Sequence, residues 1–253
     1  MRSSLAVLAV MPTVPIVLLL AGCMATSARA AEDPRDFTGV WQAFASDPAI
    51  TKLIETRHYT PEGEIKLADF SQRYPNLLEP AAWCVPAGMP STMLSLAGNV
   101  IEITQSPTRL TLLAALNNQY RRLYLDEREW PEDPAPSPMG YSIARWDANT
   151  LVIETRSLDE MLASPFPRTT YTVVVERVSK TTRDQVTAAA DPAITTASID
   201  DSVLAFNLTI TDATLYTKPQ SVTVYYQHVD EQALQQDNCA TALWQQALDD
   251  ANP

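Results

Sequence analysis

Several polar residues sit on or beside stretches that are otherwise apolar: Glu102, Gln105, Arg121, Arg122, Tyr124, Asp126, Arg145 and Asp147. If those stretches are strands and the polar groups point inward, they would hold the polar head of a small bound molecule. A neighbouring arginine and carboxylate would then keep each other ionised. The competing reading is a structural ion-pair network, which perturbs charge without doing chemistry. Side chains alternate along a strand, so Arg122 shares a face with Tyr120 and Tyr124, and Arg121 shares one with Leu123 and Leu125. The tyrosine face is the expected ligand lining. Gln105, Tyr120, Arg122, Tyr124, Arg145, Trp146 and Tyr226 are therefore the candidate ligand-binding residues.

A catalytic alternative would use Glu102, Asp126 and His228 as acid or base groups of a cofactor-independent isomerase, cyclase or hydrolase. Glu102 and Asp126 lie on separate stretches that can converge, and burial of one would raise its pKa. His228 shares a strand face with Val222, Val224 and Tyr226 and can reach a cavity, although a strand-end histidine bonded to backbone is the plainer reading. There is no G-x-S-x-G, and a Ser-His-Asp triad would have to recruit His58 or His228. Trp41, Trp83, Trp130 and Trp146 could form a stacking platform, or simply fill a core. With two histidines and three cysteines, no spaced metal motif can be built. No cofactor is expected. The formal charge of -12 repels phosphate backbones and anionic lipid headgroups, so nucleic acid is not an expected partner.

The elements that must carry these residues read as β-strands. From Val100 onward, short alternating runs of β-branched and aromatic residues are separated by turn chemistry. Leu110 to Leu116 and Tyr120 to Leu125 flank Asn117-Asn118, a pair that tolerates positive φ, and so predict a hairpin. Tyr141 to Trp146 and Thr150 to Thr155 flank Asp147-Ala148-Asn149, where Asn149 can take the left-handed position. Tyr171 to Val178, Gln185 to Ala190, Val203 to Ile210 and Ser221 to His228 follow as a meander, with Gly39 to Phe44 and Val100 to Thr104 before them.

Residues 46–98 lack a steady period and predict a long excursion with one or two short helices across the sheet. Pro131, Pro134, Pro136 and Pro138 mark residues 129–140 as an exposed loop, because proline cannot join a ladder. The tail from Asp230 to Asp250 predicts a closing helix with Asp230 as N-cap. A sheet of this size leaves hazardous edges unless it closes on itself. The fold class expected is all-β: one antiparallel barrel of about eight to ten strands, wide enough for side chains or one small ligand.

Asp36-Phe37-Thr38-Gly39-Val40-Trp41 contains the Gly-x-Trp that resembles the first strand of lipocalin-like barrels, where the indole closes the barrel floor. The runs Cys84 to Met93, Ile101 to Gln105, Arg121 to Asp126, Ser142 to Thr155 and Tyr216 to Pro219 resemble a family of exported bacterial proteins of largely unassigned function. The likeness covers about residues 36–240, including a late cysteine that Cys239 matches. It implies one lipocalin-like barrel domain over 31–253 and no particular reaction. This chain departs from the family at Asp126-Glu127-Arg128-Glu129-Trp130-Pro131, where relatives carry a glycine for Glu127 and a histidine for Trp130. The hairpin glycine is replaced by Ala148.

Residues 1–30 carry no acid, an early Arg2 and an apolar run from Leu5 to Ala21, and are expected to be an export signal rather than a bilayer span. Leu20-Ala21-Gly22-Cys23 resembles the lipobox of bacterial lipoproteins, with Cys23 as the lipidated thiol. Ala28-Arg29-Ala30 is a competing A-x-A cleavage site that would release an unlipidated protein, soluble in the periplasm or secreted. If Cys23 carries lipid, Cys84 and Cys239 remain in an oxidising compartment and are expected to pair; two buried free thiols are the alternative. The functional expectation is a periplasm-facing cell-envelope protein, anchored to the membrane through lipid alone, that binds a small hydrophobic or amphipathic molecule. An enzyme in the same cavity, or an accessory envelope protein with a filled barrel, are the other readings.

Overall fold

The computed structural model describes residues 33–46, 50, 54, 58–75, 84–94, 99–186, 190, 191, 193–235 and 249. Nine strands, β1 (Gly39–Ser46), β2 (Val100–Ser106), β3 (Arg109–Ala114), β4 (Gln119–Tyr124), β5 (Tyr141–Asp147), β6 (Thr150–Arg156), β7 (Val173–Thr182), β8 (Ser202–Thr211) and β9 (Gln220–Val229), close into a barrel in chain order. β9 returns to β1 through pairs such as Trp41 with His228 and Val40 with Val229.

The expected all-antiparallel arrangement needs one correction. Strands that alternate up and down around a closed ring must be even in number, so nine strands require at least one parallel neighbour. β4 and β5 supply it, pairing in parallel only at Leu123 with Ser142 and Tyr124 with Ile143. The proline-bearing connection after β4 is largely exposed and reverses the chain, so that β5 runs in the same direction as β4 and begins beside its last residues.

Other departures are local. Gln185 to Ala190 is not a strand in its described part: a 3-10 turn occupies Arg183–Gln185 and Ala190 makes a single bridge to Ala45. The Thr182 hydroxyl bonds the Asp184 carboxylate there, so local turn bonds displace the ladder. Asp230 does cap a helix, through the Gln232 amide, but a short 3-10 turn at Glu231–Ala233; most of the expected tail helix lies outside the described residues. Asn117 and Asn118 both take positive φ, as their turn demands. At the next hairpin the left-handed residue is Ala148 (φ 50°), not Asn149, and Glu127 (φ 52°) is left-handed too.

The two ends of the barrel are closed differently. At the end where β1 begins, the Trp41 indole donates to the Phe37 carbonyl (2.9 Å) and the Phe37 ring meets Trp146 edge-on at 5.2 Å. Gln105 pins this corner, accepting from the Phe37 amide and donating to the Arg35 carbonyl. At the opposite end, the buried turn Met89–Leu94 enters the barrel. Tyr226 donates to the Met93 carbonyl, Asn99 to the Thr92 carbonyl and Gln119 to the Thr92 hydroxyl. The buried Arg168 guanidinium holds the approach to this turn, bonding the Ala87 carbonyl and both the carbonyl and carboxylate of Asp159. Gly88 (φ 65°) passes so close that a Cβ would stand 2.3 Å from the Pro138 carbonyl oxygen.

Between these closures, Ile101, Ile103, Leu110, Leu112, Leu151, Ile153, Val174, Leu204, Phe206 and Val224 form one continuous apolar cluster. Cys84 is disulfide-bonded. Cys23 and Cys239 lie outside the described residues, as does Trp83.

The helix α1 (Pro61–Arg73) starts at Thr60, whose hydroxyl accepts from the Gly63 amide, with proline at the first helical position. It docks on the β8–β9 corner through the Thr60 amide and Leu215 carbonyl, and Gly63 packs against Leu215. That corner is organised by Asp212, whose carboxylate accepts from the hydroxyls of Thr169, Thr172 and Thr214 and from the Leu215 amide. Burial pushes the Asp212 carboxyl up, but these hydrogen bonds outweigh it and hold the group below its ordinary value. A depressed folded pKa gives stability that is complete above the unfolded carboxyl value and is lost as pH falls through the folded one. Asp212→Asn is expected to cost about 3 kcal/mol at pH 7 in urea titrations, since several charge-assisted bonds are weakened together. The deficit relative to the native protein should shrink at pH 3; a deficit unchanged between the two would rule out the ionised hub.

Candidate functional site at the parallel seam

The two-residue parallel seam leaves the first part of β4 without a ladder partner on its β5 side, because β4 pairs with β3 along its whole length but with β5 only from Leu123 onward. A cleft of about 440 Å³ opens there. One wall is Asn117 to Arg122 with Tyr124; the other is Ser137 to Ser142; Pro86 borders it. The far wall does not turn back to pair with β4, since the Pro138 carbonyl is taken by the Met89 amide and Ser137 pairs with Ser157 and Asp159. The volume falls within the range of small-molecule sites. Gln119 Oε1 is buried in this lining without a hydrogen-bond partner among the described residues.

The outer rim of the seam is aromatic and cationic. Tyr124 and Tyr141 stack at 5.1 Å, and Trp130 lies 6.0 Å from Tyr141. Arg128 sits 3.6 Å above the Tyr124 ring and Arg156 4.6 Å above Trp130. Both cations are held by neighbouring carboxylates, Arg128 by Asp126 and Arg156 by Glu154. The hydrogen bond from Arg128 holds the Asp126 carboxyl below its ordinary value and raises the arginine in return. Tyr120 is 62% exposed, with the Arg122 guanidinium 5.5 Å from its ring centre.

The inner floor of the cleft is the buried Arg121. Its guanidinium forms a two-pronged ion pair with Glu176 and bonds the hydroxyls of Ser142 and Thr155. Both charged side chains are essentially inaccessible, at 1% and 0% exposure. The expected facing of β4 is therefore reversed. Gln119, Arg121 and Leu123 point into the barrel, and Tyr120, Arg122 and Tyr124 point out of it. The core accepts a cation because an anion and two hydroxyls are already built to receive it.

The other sequence candidates are dispersed. Gln105 and Trp146 belong to the barrel floor, where they hold Phe37. Arg145 is exposed on the outer face of β5. Tyr226 is fully buried, and burial raises its pKa while its hydroxyl holds Met93. Glu102 points outward at the level of Leu113 and Tyr120, whereas Asp126 lies past the other end of β4, about 20 Å along the strand direction at 3.3 Å per residue. The structure does not bring these two carboxylates together. His228 stacks on Trp41 at 4.7 Å and bonds Asp200 through Nδ1 at 2.8 Å. Burial pushes Asp200 up, but the bonds from His228 and from Ser202 hold it below its ordinary value. The other ring nitrogen of His228 rests over Gly39, where a Cβ would approach it to 2.7 Å. His58 is exposed in a loop, and its carbonyl accepts from Thr217. The expected tryptophan platform is divided, with Trp41 and Trp146 at the floor and Trp130 outside on Tyr141.

No protein-family model and no curated protein matches the chain. Glu176, Tyr141, Ser142 and Asp200 were not among the sequence candidates. Glu176 does leave a signal, because it shares a strand face with Val174 and Val178 where a carboxylate is out of place.

Removing one half of the buried pair leaves the other charge without compensation. Glu176→Gln is expected to destabilise the fold by about 3 to 5 kcal/mol in urea titrations, and Arg121→Met with Glu176→Leu to recover most of the loss. A single variant costing under about 1 kcal/mol would show that the pair does not govern packing at the seam.

Proposed function

We propose that this protein binds a small hydrophobic or amphipathic molecule, and that the guest sits in the cleft beside β4 rather than along the barrel axis. The observation that carries the reading is the cleft itself: about 440 Å³, bordered by Tyr120, Tyr124 and Tyr141, with Met139 and Pro138 opposite. Tyrosines suit such a guest because each presents an apolar ring and a polar tip with little rotamer entropy to lose. The axis is a poorer host, since Phe206, Tyr226, Met93 and the Arg121–Glu176 pair already occupy it. The same rigid barrel supports the rim, so binding needs no large rearrangement.

An organic extract of the purified protein, read by mass spectrometry, is expected to contain an apolar molecule that is absent from an extract of Tyr120→Ala/Tyr124→Ala. Both side chains point outward, so the double variant should keep the native far-ultraviolet circular dichroism. Identical extracts from the two folded proteins would end the cleft reading.

We also propose that the protein is exported and held at the membrane by lipid on Cys23, as the apolar leader ending in Leu20-Ala21-Gly22-Cys23 suggests. Among the described residues, no helix is long and apolar enough to cross a membrane. Cys23→Ser is expected to move the protein from the membrane fraction to the soluble periplasmic extract. Unchanged fractionation would remove the anchor.

A further inference from the structure

We infer that the guest of the seam cleft carries an oxyanion head group, and that Arg122 is the residue that selects it; this rests on the cleft being the binding site. The lining contains two arginines and several neutral donors, including Asn118, Tyr141 and Ser142, but no aspartate or glutamate. On a chain of formal charge -12 with 30 acidic residues, a concave surface free of carboxylates is a local exception to the field around it. Clefts with one sign of charge and low-dielectric walls concentrate ions of the opposite sign.

The two arginines are not equivalent. Arg121 is committed to Glu176, with its remaining contacts on Ser142 and Thr155, so it contributes no net charge to a ligand. Arg122 has no carboxylate partner among the described residues; it lies near the Tyr120 ring, with its head exposed at the cleft. The contrast with the rim is direct, because Arg128 and Arg156 are each paired with an acid two residues away. A guanidinium that holds no acid offers a planar fork to an oxyanion. The tyrosines beside it would take the apolar or aromatic body. The head group would lie at Arg122 and the body along Tyr120, Tyr124 and Tyr141.

A pair of fluorescent probes with one aromatic skeleton tests this: neutral N-phenyl-1-naphthylamine and its 8-sulfonate. Both are expected to bind, with the sulfonate at least about tenfold tighter, a difference of about 1.4 kcal/mol. Arg122→Gln should remove that advantage while leaving the neutral probe within about twofold, and Arg122→Lys should restore part of it. Displacement of the sulfonate by laurate and by dodecyl phosphate, but not by dodecanol, then distinguishes carboxylate from phosphate heads by whichever competes at lower concentration. Equal affinity of the native protein for both probes, or equal weakening of both by Arg122→Gln, would overturn the inference while leaving the cleft a binding site. If neither probe binds, or if Tyr120→Ala/Tyr124→Ala binds both as the native protein does, the cleft reading itself fails.

Discussion

A closed ring of strands that alternate in direction has an even count, and this barrel has nine. One pair of neighbours must run in parallel, and it does so at β4 and β5. Parallel neighbours cannot be joined by a tight turn, so the chain needs a long connection between them. That connection here contains Pro131, Pro134, Pro136 and Pro138, none of which can donate to a ladder. The pairing is therefore brief, the strands part above Leu123, and the barrel acquires a cleft where its hydrogen bonding lapses. The aromatic rim, the Arg121 floor and the Met89–Leu94 turn all lie around that lapse.

The interior adapts to the same weakness. An edge that is not laddered would let water approach the core, and at the floor of the cleft the core presents a satisfied ion pair instead of bare apolar surface. Arg121 reaches across the barrel to Glu176 on β7, and Ser142 and Thr155 bond each other as well as the guanidinium. A network with its donors and acceptors matched tolerates burial that an isolated charge could not. It also ties β4, β5, β6 and β7 together by side chains, where the backbone ties β4 to β5 by only two residue pairs.

Much of the fold was legible because its period was short and local. The alternation in Leu110 to Leu116, in Tyr141 to Trp146 and in Val203 to Ile210 marked strands within a few residues of their observed limits, and Asn117-Asn118 marked its turn. Strand direction across a long connection is not a local property, so the parallel pair went unread. Gln185 to Ala190 alternates well enough for a strand, yet side-chain bonds within Thr182 and Asp184 favour a turn there. The site was legible in part. Tyr120, Arg122 and Tyr124 were grouped correctly as one face, but the sequence period says only which residues share a face, not which face is inside. The inner face was betrayed by Leu123, as apolar positions usually go inward, but each face carries one arginine, and the one that the barrel buries is Arg121 beside Leu123. Its partner, Glu176, lies 55 positions away, beyond any window in which their charges could be matched.

The distribution of aromatic residues separates structure from binding. Trp41, Phe37, Trp146 and Tyr226 have their polar or edge contacts met inside the barrel, by the Phe37 carbonyl, by one another and by the Met93 carbonyl. The apolar area of Trp41, Phe37 and Tyr226 is already withdrawn from water, so it cannot be gained again on meeting a ligand. Tyr120 retains most of its area in solvent beside a cleft the backbone does not fill. Burying that ring against a guest is a free-energy gain the folded protein has not yet taken, of the order of 25 cal/mol for each square ångström covered. The ring area that the proposed binding would use therefore lies on the outer face of β4, and the filled barrel is the rigid support beneath it.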